Sequence, residues 1–237
     1  MADPVAVNSM FGRIAHRYDL ANRVLSGGID IYWRSRLVGA VKRARPRNVL
    51  DIATGSGDVA FALRRGLRPE VGVYGMDFCE PMLERAEKRK AARPGRYSGV
   101  EFLFGDALKI PVEDASFDAV TIAFGLRNIT DRRGCLSEVR RVLRQEGHLF
   151  VLEFSQPWPV VRPAYKFYLR QVLPRLAGAL TGDRDAYAYL GDTIAAFPGR
   201  DALSAEIAGA GFGEVTVCAM TMGIVSLHSA LRQPHFS

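Results

Sequence analysis

The sequence predicts an α/β fold with a mostly parallel, seven-stranded sheet, helices on both faces and an antiparallel hairpin at its end. Three observations predict it. From residue 47, short apolar runs alternate with segments of helical period, the pattern of successive βαβ units. The stretch VLDIATGSGDVA, Val49 to Ala60, joins one such run to a helix start through a turn of small residues. Near the C-terminus two β-rich runs flank Thr221-Met222-Gly223, which reads as a closing hairpin.

The elements follow in order. Residues 1–46 form a helical cap ahead of the sheet. Met10, Phe11, Ile14, Ala15 and Tyr18 recur at helical spacing. Ser26-Gly27-Gly28 interrupts the pattern, and a second helix begins near Asp30 as its N-cap. Residues 47–155 carry five strands: Val49–Ile52, Val71–Met76, Val100–Phe104, Phe117–Ala123 and His148–Glu153. Helices are expected over Asp58–Arg65, Glu80–Arg93 and Arg132–Leu143, the second started by Pro81 in its first turn. Gln145-Glu146-Gly147 reads as a turn. Residues 156–198 break the alternation with five prolines and aromatic helical stretches, as an insertion over the carboxyl edge of the sheet would. Residues 199–237 hold a last helix and the hairpin.

At 237 residues this is one domain. With 48% apolar and 24% charged residues the chain is an ordinary globular one, and no run of about 18 apolar residues suggests a membrane span. The N-terminus lacks a basic-then-apolar signal layout, so the cytoplasm is expected. Cys79, Cys135 and Cys218 are scattered, as are the four histidines, so neither a disulfide framework nor a metal site is expected. A net charge of +7 favours anionic partners, although clusters such as Arg85 to Arg93 also read as solvated helix faces.

The chemistry gathers at strand ends. Gly55-Ser56-Gly57 can take positive φ and lets a ligand approach the backbone. Gly55-x-Gly57-x-x-Ala60 also satisfies the dinucleotide pattern. Asp77 stands about twenty residues further on, where a carboxylate accepts hydrogen bonds from a ribose diol, or else caps a helix. Asp106 can take an adenine amine while Ala107 presents its N–H. Asp51 can reach the ammonium of an amino-acid-like cofactor or order the loop. Three acids on successive strands, and no Lys or Arg within the turn, match a zwitterionic adenosyl ligand better than a pyrophosphate. The expected cofactor is S-adenosyl-L-methionine.

With these residues in place, the sequence resembles the ubiquinone/menaquinone biosynthesis C-methyltransferases, of the Rossmann-like class I adenosylmethionine-dependent fold. The matching segments include MFGRIAHRYDLAN, LDIATGSGD, MDFCEPML, GDALKIP, IAFGLRNITD, GHLFVLEFS, YAYLGDTIAAFP and LHSALR, spread over nearly the whole chain. Phe124 to Asn128 and Glu153-Phe154-Ser155 are the most specific. The resemblance implies cofactor contacts at Ser56, Asp77, Asp106 and Ala107. Where many members have Ser, this chain has Ala123, which leaves only a backbone contact there. Where members often have His, it has Asp30. The implied substrate is a prenylated quinol methylated on a ring carbon.

That chemistry needs a sink for phenolate charge and a base or water relay. Arg127 is the expected phenolate partner, unless it pairs with Asp131 or Asp19, and Asn128 can orient a ring oxygen. Tyr18, Asp19 and Glu153 are the candidate proton acceptors or relays, each with a hydrogen-bonding structural role as the alternative, and His16 could also serve. Tyr165, Phe167, Tyr168, Tyr187 and Tyr189 would line a channel for the prenyl tail, and the basic, apolar stretch Val160 to Leu180 would touch a membrane surface or else serve only as packing in a lid over the substrate. A homodimer is compatible with the sequence; a nucleic-acid partner is not expected, because no Asn/Asp-Pro-Pro-aromatic element follows the fourth strand. The rival readings are an NAD(P)-dependent oxidoreductase, which shares the glycine turn and Asp77, and another small-molecule methyltransferase.

Overall fold

The computed structural model describes residues 23, 26–173, 175, 176, 178 and 184–233. The helix expected around Met10 to Tyr18, and with it Tyr18 and Asp19, lies outside these residues. Helix α1, Asp30–Arg43, begins with Asp30 itself, and the N-cap position belongs to Ile29. The expected capping role fails because the Asp30 carboxylate is engaged by Ser26 Oγ at 2.9 Å and by the guanidinium groups of Arg23 and Arg34.

The alternating segments follow as β1 (Asn48–Ile52), α2 (Asp58–Gly66), β2 (Gly72–Asp77), α3 (Glu80–Ala91), the single turn α4 (Pro94–Tyr97), β3 (Val100–Phe104), β4 (Phe117–Ala123), α5 (Arg132–Val142) and β5 (Leu143–Phe154). Next come α6 (Arg162–Phe167), running into a π-helical turn over Tyr168–Val172, then α7 (Arg184–Ala196) and α8 (Arg200–Gly209). The hairpin β6 (Phe212–Met220) and β7 (Val225–Arg232) closes the fold around a 3-10 turn, Thr221–Gly223. The seven strands form one sheet in the order β3-β2-β1-β4-β5-β7-β6. Strands β1 to β5 pair in parallel, and β7 is antiparallel to both its neighbours.

Side-chain alternation along β1 explains the two cores. Val49 packs with Trp33, Leu37, Phe61 and Leu63 of α1 and α2, while Leu50 and Ile52 pack on the other face with Leu136, Val139 and Ile207 of α5 and α8. Both faces are therefore covered, and the order of strands reverses between β1 and β4. A ligand cleft is expected outside the carboxyl ends of those two strands.

Several element boundaries differ from expectation, most of them by one or two residues. Strand β2 is displaced by one residue, so that Asp77 is its last member. The expected turn Gln145-Glu146-Gly147 lies within β5: Glu146 takes φ of 59°, and the register with β4 jumps from Phe117↔Leu143 to Ala119↔His148. The chain absorbs its turn residues as an irregularity in a strand that β4 pairs on either side. Among the described residues, no helix is long and apolar enough to cross a membrane.

Candidate active site

A cavity of about 830 Å³ opens at the carboxyl ends of β1, β2 and β4, where the change in strand order predicts it. One half is walled by the glycine turn and the strand-end acids. The other is walled by the turn after β4 and by α6, the π-helical turn and α7. Gly55, Ser56, Asp77, Asp106, Ala107, Ala123, Arg127 and Asn128 all line it.

The first half is built on the turn after β1. Gly55 has φ of 57°, and its N–H donates to Asp77 Oδ2 at 2.7 Å. The Cys79 N–H donates to Asp77 Oδ1 at 3.0 Å, so this carboxylate orders two loops at once. Burial pushes the Asp77 carboxyl up, against the pull of the backbone donors of Gly55, Cys79 and Phe78. Asp106 is exposed, and its Oδ1 accepts the Leu108 N–H at 2.9 Å. Ala53 and Phe124, the residues just beyond β1 and β4, both take positive φ, a strained backbone at the rim of the cavity.

Two expected cofactor contacts do not line the cavity. Asp51 is 1% exposed, and its two oxygens accept from Thr54 Oγ1 at 2.7 Å and Thr121 Oγ1 at 2.6 Å. It lies under the turn and fastens it to β4, the loop-ordering alternative to an ammonium contact. Gly57, at φ of 84°, is packed under the turn: a Cβ there would stand 2.8 Å from Phe61 and 2.9 Å from Phe102.

Burial raises the Asp51 carboxyl to about 7, against the pull of both hydroxyls. A folded-state value above the unfolded one means that folding takes up a proton between about pH 4 and pH 7. This contribution to stability is present at low pH and is lost as pH rises through 7. Asp51→Asn should therefore gain stability relative to the parent protein between pH 5 and pH 8. Denaturant titrations of both proteins at the two pH values check it; an unchanged difference would contradict it.

A charged chain that the sequence did not reveal braces the same turn. Arg89 reaches from α3 to Ser56 O at 2.8 Å, Ser56 Oγ at 3.0 Å and Asp58 Oδ1 at 2.7 Å. Arg34 of α1 joins Asp58 Oδ2 at 2.9 Å to Asp30. Although burial opposes it, Arg34 and Arg89 hold the Asp58 carboxyl below its usual range. Four lining carboxylates, those of Asp30, Asp58, Asp77 and Asp106, stand against two lining guanidiniums, Arg34 and Arg127, among the described residues. The cavity is thus acidic in a protein of net charge +7. That sign suits a cationic sulfonium with its ammonium and opposes a pyrophosphate.

The second half centres on Arg127, in the 3-10 turn Leu126–Asn128. Its side chain is only 4% exposed, and it pairs with Glu153: Nη1 lies 2.8 Å from Oε1 of a carboxylate that is fully buried. Nη1 also donates to the Phe124 carbonyl, and the Phe154 ring lies 5.4 Å from the guanidinium carbon. Glu153 accepts further from the Phe154 N–H at 2.9 Å and does not line the cavity. Its placement is that of a charge partner to Arg127, not of a proton acceptor open to substrate. Of the two acids that the sequence offered to Arg127, Asp131 instead caps α5, accepting the Gly134 N–H at 2.9 Å, and Asp19 lies outside the described residues.

Arg127 Nε and Asn128 Oδ1 are buried without a hydrogen-bond partner among the described residues. Nine buried side-chain atoms are unpaired among the described residues, and these two differ from most in belonging to residues that line the cavity, where a polar ligand can supply the missing bond. Tyr165, Tyr168, Leu169, Leu173, Tyr189 and Ile194 form the facing wall. Phe167 points the other way, 63% exposed, and the Tyr187 side chain lies outside the described set. Trp33 links the two halves, donating to Thr221 Oγ1 at 2.8 Å and packing on Phe124 and Phe154. Arg34, Asp58 and Arg89 were missed because helical charges at ordinary spacing read as solvated faces.

Comparison with known proteins places this geometry. The model of the ubiE/COQ5 methyltransferase family matches residues 2–232. A demethylmenaquinone methyltransferase of Thermus thermophilus is 44% identical over 92% of this chain and 98% of its own. The ubiquinone/menaquinone biosynthesis C-methyltransferase UbiE of a Geobacter species is 40% identical over 94% of both chains. Among solved structures, an adenosylmethionine-dependent methyltransferase from Thermotoga maritima superposes with a TM-score of 0.67, at 19% identity, over 96% of this chain and all of the other. That likeness concerns the fold.

Proposed function

Because the chain belongs to the ubiE/COQ5 methyltransferase family, we propose that it is an S-adenosyl-L-methionine-dependent C-methyltransferase acting on a ring carbon of a prenylated quinol, as in menaquinone or ubiquinone biosynthesis. The observation that carries this reading is one cavity with two unlike halves. An acidic half meets a half of tyrosines and leucines with unpaired polar atoms at its centre.

Asp77 would hold the ribose, Asp106 and the Ala107 N–H the adenine, and the Gly55-Ser56 turn the methionine end. When bound, the cofactor supplies an electrophilic methyl group on a sulfonium. The rest falls to the chain. A ring carbon becomes nucleophilic as the neighbouring hydroxyl gives up its proton. Arg127 keeps its charge at any working pH and takes up the negative charge on that oxygen. Glu153 holds the guanidinium in position. Asn128 Oδ1 accepts the ring O–H of the bound quinol before that proton leaves. Once the methyl is transferred, the ring proton leaves the methylated carbon and the aromatic quinol is restored; Tyr18 and Asp19 are the proton relays of this reading.

The substrate's tail implies a membrane, and we infer a contact at its inner face. Trp158, Val160, Phe167 and Leu176 are exposed apolar side chains in a segment bearing Arg162, Lys166, Arg170 and Arg175 and, from Gln156 to Gly182, no acid. Such a surface suits an anionic leaflet.

Transfer of a labelled methyl group to short-chain demethylmenaquinol tests the proposal. Turnover is expected with the quinol and not with its quinone, because a quinone has no ring hydroxyl to give up a proton and its ring carbon is too electron-poor to attack the methyl group. Equal rates with both, or none with the quinol, would contradict it.

A further inference from the structure

Three polar atoms of residues that line this cavity are buried without a partner among the described residues, and two of them, Arg127 Nε and Asn128 Oδ1, belong to the turn after β4. The third is Tyr189 Oη, on α7. It comes from the opposite wall. Helix α7 packs against the 3-10 turn that carries Arg127 and Asn128, so the hydroxyl is brought down over that turn from the lid side. Burial raises the phenol above its ordinary value, against the nearby charge of Arg127. The group therefore stays protonated, able both to donate and to accept.

A buried hydroxyl that finds no protein partner loses its water and regains nothing, which is unfavourable unless a ligand supplies the bond. A hydroquinone ring carries two oxygens on opposite edges. One is taken by the turn. The other faces whatever covers the ring from the lid.

We propose that Tyr189 is a substrate-positioning residue, bonding the quinol hydroxyl para to the one held at Arg127 and Asn128. The proposal rests on the quinol reading above. It places this second hydroxyl on the lid side, the wall that also carries Leu169, Leu173 and Ile194, side chains suited to the adjoining prenyl tail. Ring capture and lid contact then become a single event: the ring is bridged between two walls, and its reacting carbon is fixed in one orientation.

The test is a cycle of residue against substrate oxygen. The residue is changed by Tyr189→Phe, which keeps the ring and removes the hydroxyl. The substrate is changed from a 2-prenyl-1,4-naphthohydroquinone to 3-prenyl-1-naphthol, which keeps the hydroxyl beside the reacting carbon and lacks the other. Methyl transfer is measured on all four combinations, with S-adenosylhomocysteine affinity as the check of folding. The parent enzyme should lose roughly 10–100-fold in kcat/KM when the second hydroxyl is removed. Tyr189→Phe should lose a similar factor on the hydroquinone and almost nothing on the naphthol. Equal losses on both substrates would show that the phenol acts on packing alone and would overturn the proposal, as would an unchanged rate on the hydroquinone. A parent enzyme that methylates neither compound would instead overturn the quinol reading on which the proposal stands.

Discussion

Arg127→Ala should lose at least about 10²–10³-fold in turnover, the cost of removing a preorganised donor from a developing oxyanion. It should also lose stability. The Glu153 carboxylate is fully buried 2.8 Å from Arg127, and removing one partner of such a pair leaves an unpaired charge, costing about 3–5 kcal/mol. Loss of activity in the single variant therefore has two sources. The double variant Arg127→Met with Glu153→Gln separates them. No charge is left behind, and the substituted amide keeps an oxygen for the Phe154 N–H. Its stability should return to near that of the parent, because replacing a whole buried pair is often neutral. Its turnover should not return. Denaturation curves and rates at saturating substrates give both readings. A double variant with the full rate would remove Arg127 from the chemistry.

Asp77→Ala should weaken S-adenosylhomocysteine binding on the order of 100-fold, from the loss of hydrogen bonds to a charged acceptor and of the order it imposes. Both Asp77 oxygens already hold backbone N–H groups, one from Gly55 and one from Cys79. The same carboxylate thus shapes the glycine turn and faces the cavity. Asp77→Asn keeps an acceptor for one of these donors and should fall between the parent and the alanine variant. Calorimetric titration measures the series; parental affinity in Asp77→Ala would remove the ribose contact.

The sheet, its closing hairpin and the strand-end position of Asp77 and Asp106 were legible because they rest on local signals: period, turn residues and the spacing of acids along the chain. What stayed hidden depends on contacts distant in sequence. Asp51 looks like a ligand until Thr121, seventy residues later, is seen to occupy one of its oxygens. Arg127 has Asp131 close by in sequence, yet it pairs with Glu153, at the end of the neighbouring parallel strand. Gln145 to Gly147 read as a turn, since their local preference is for one, and β4 pairing carried the strand through them. Arg34 and Arg89 meet at Asp58 only because α1 and α3 converge on the same glycine turn.

The central claim is the attachment of a methyl group to a carbon of a quinol ring. The carbon-13 spectrum of the product formed from methyl-labelled adenosylmethionine and short-chain demethylmenaquinol tests it most directly. A labelled methyl on the ring carbon beside the prenylated one is the predicted result. A label on oxygen, as a methyl ether, or its absence from the quinol would contradict it.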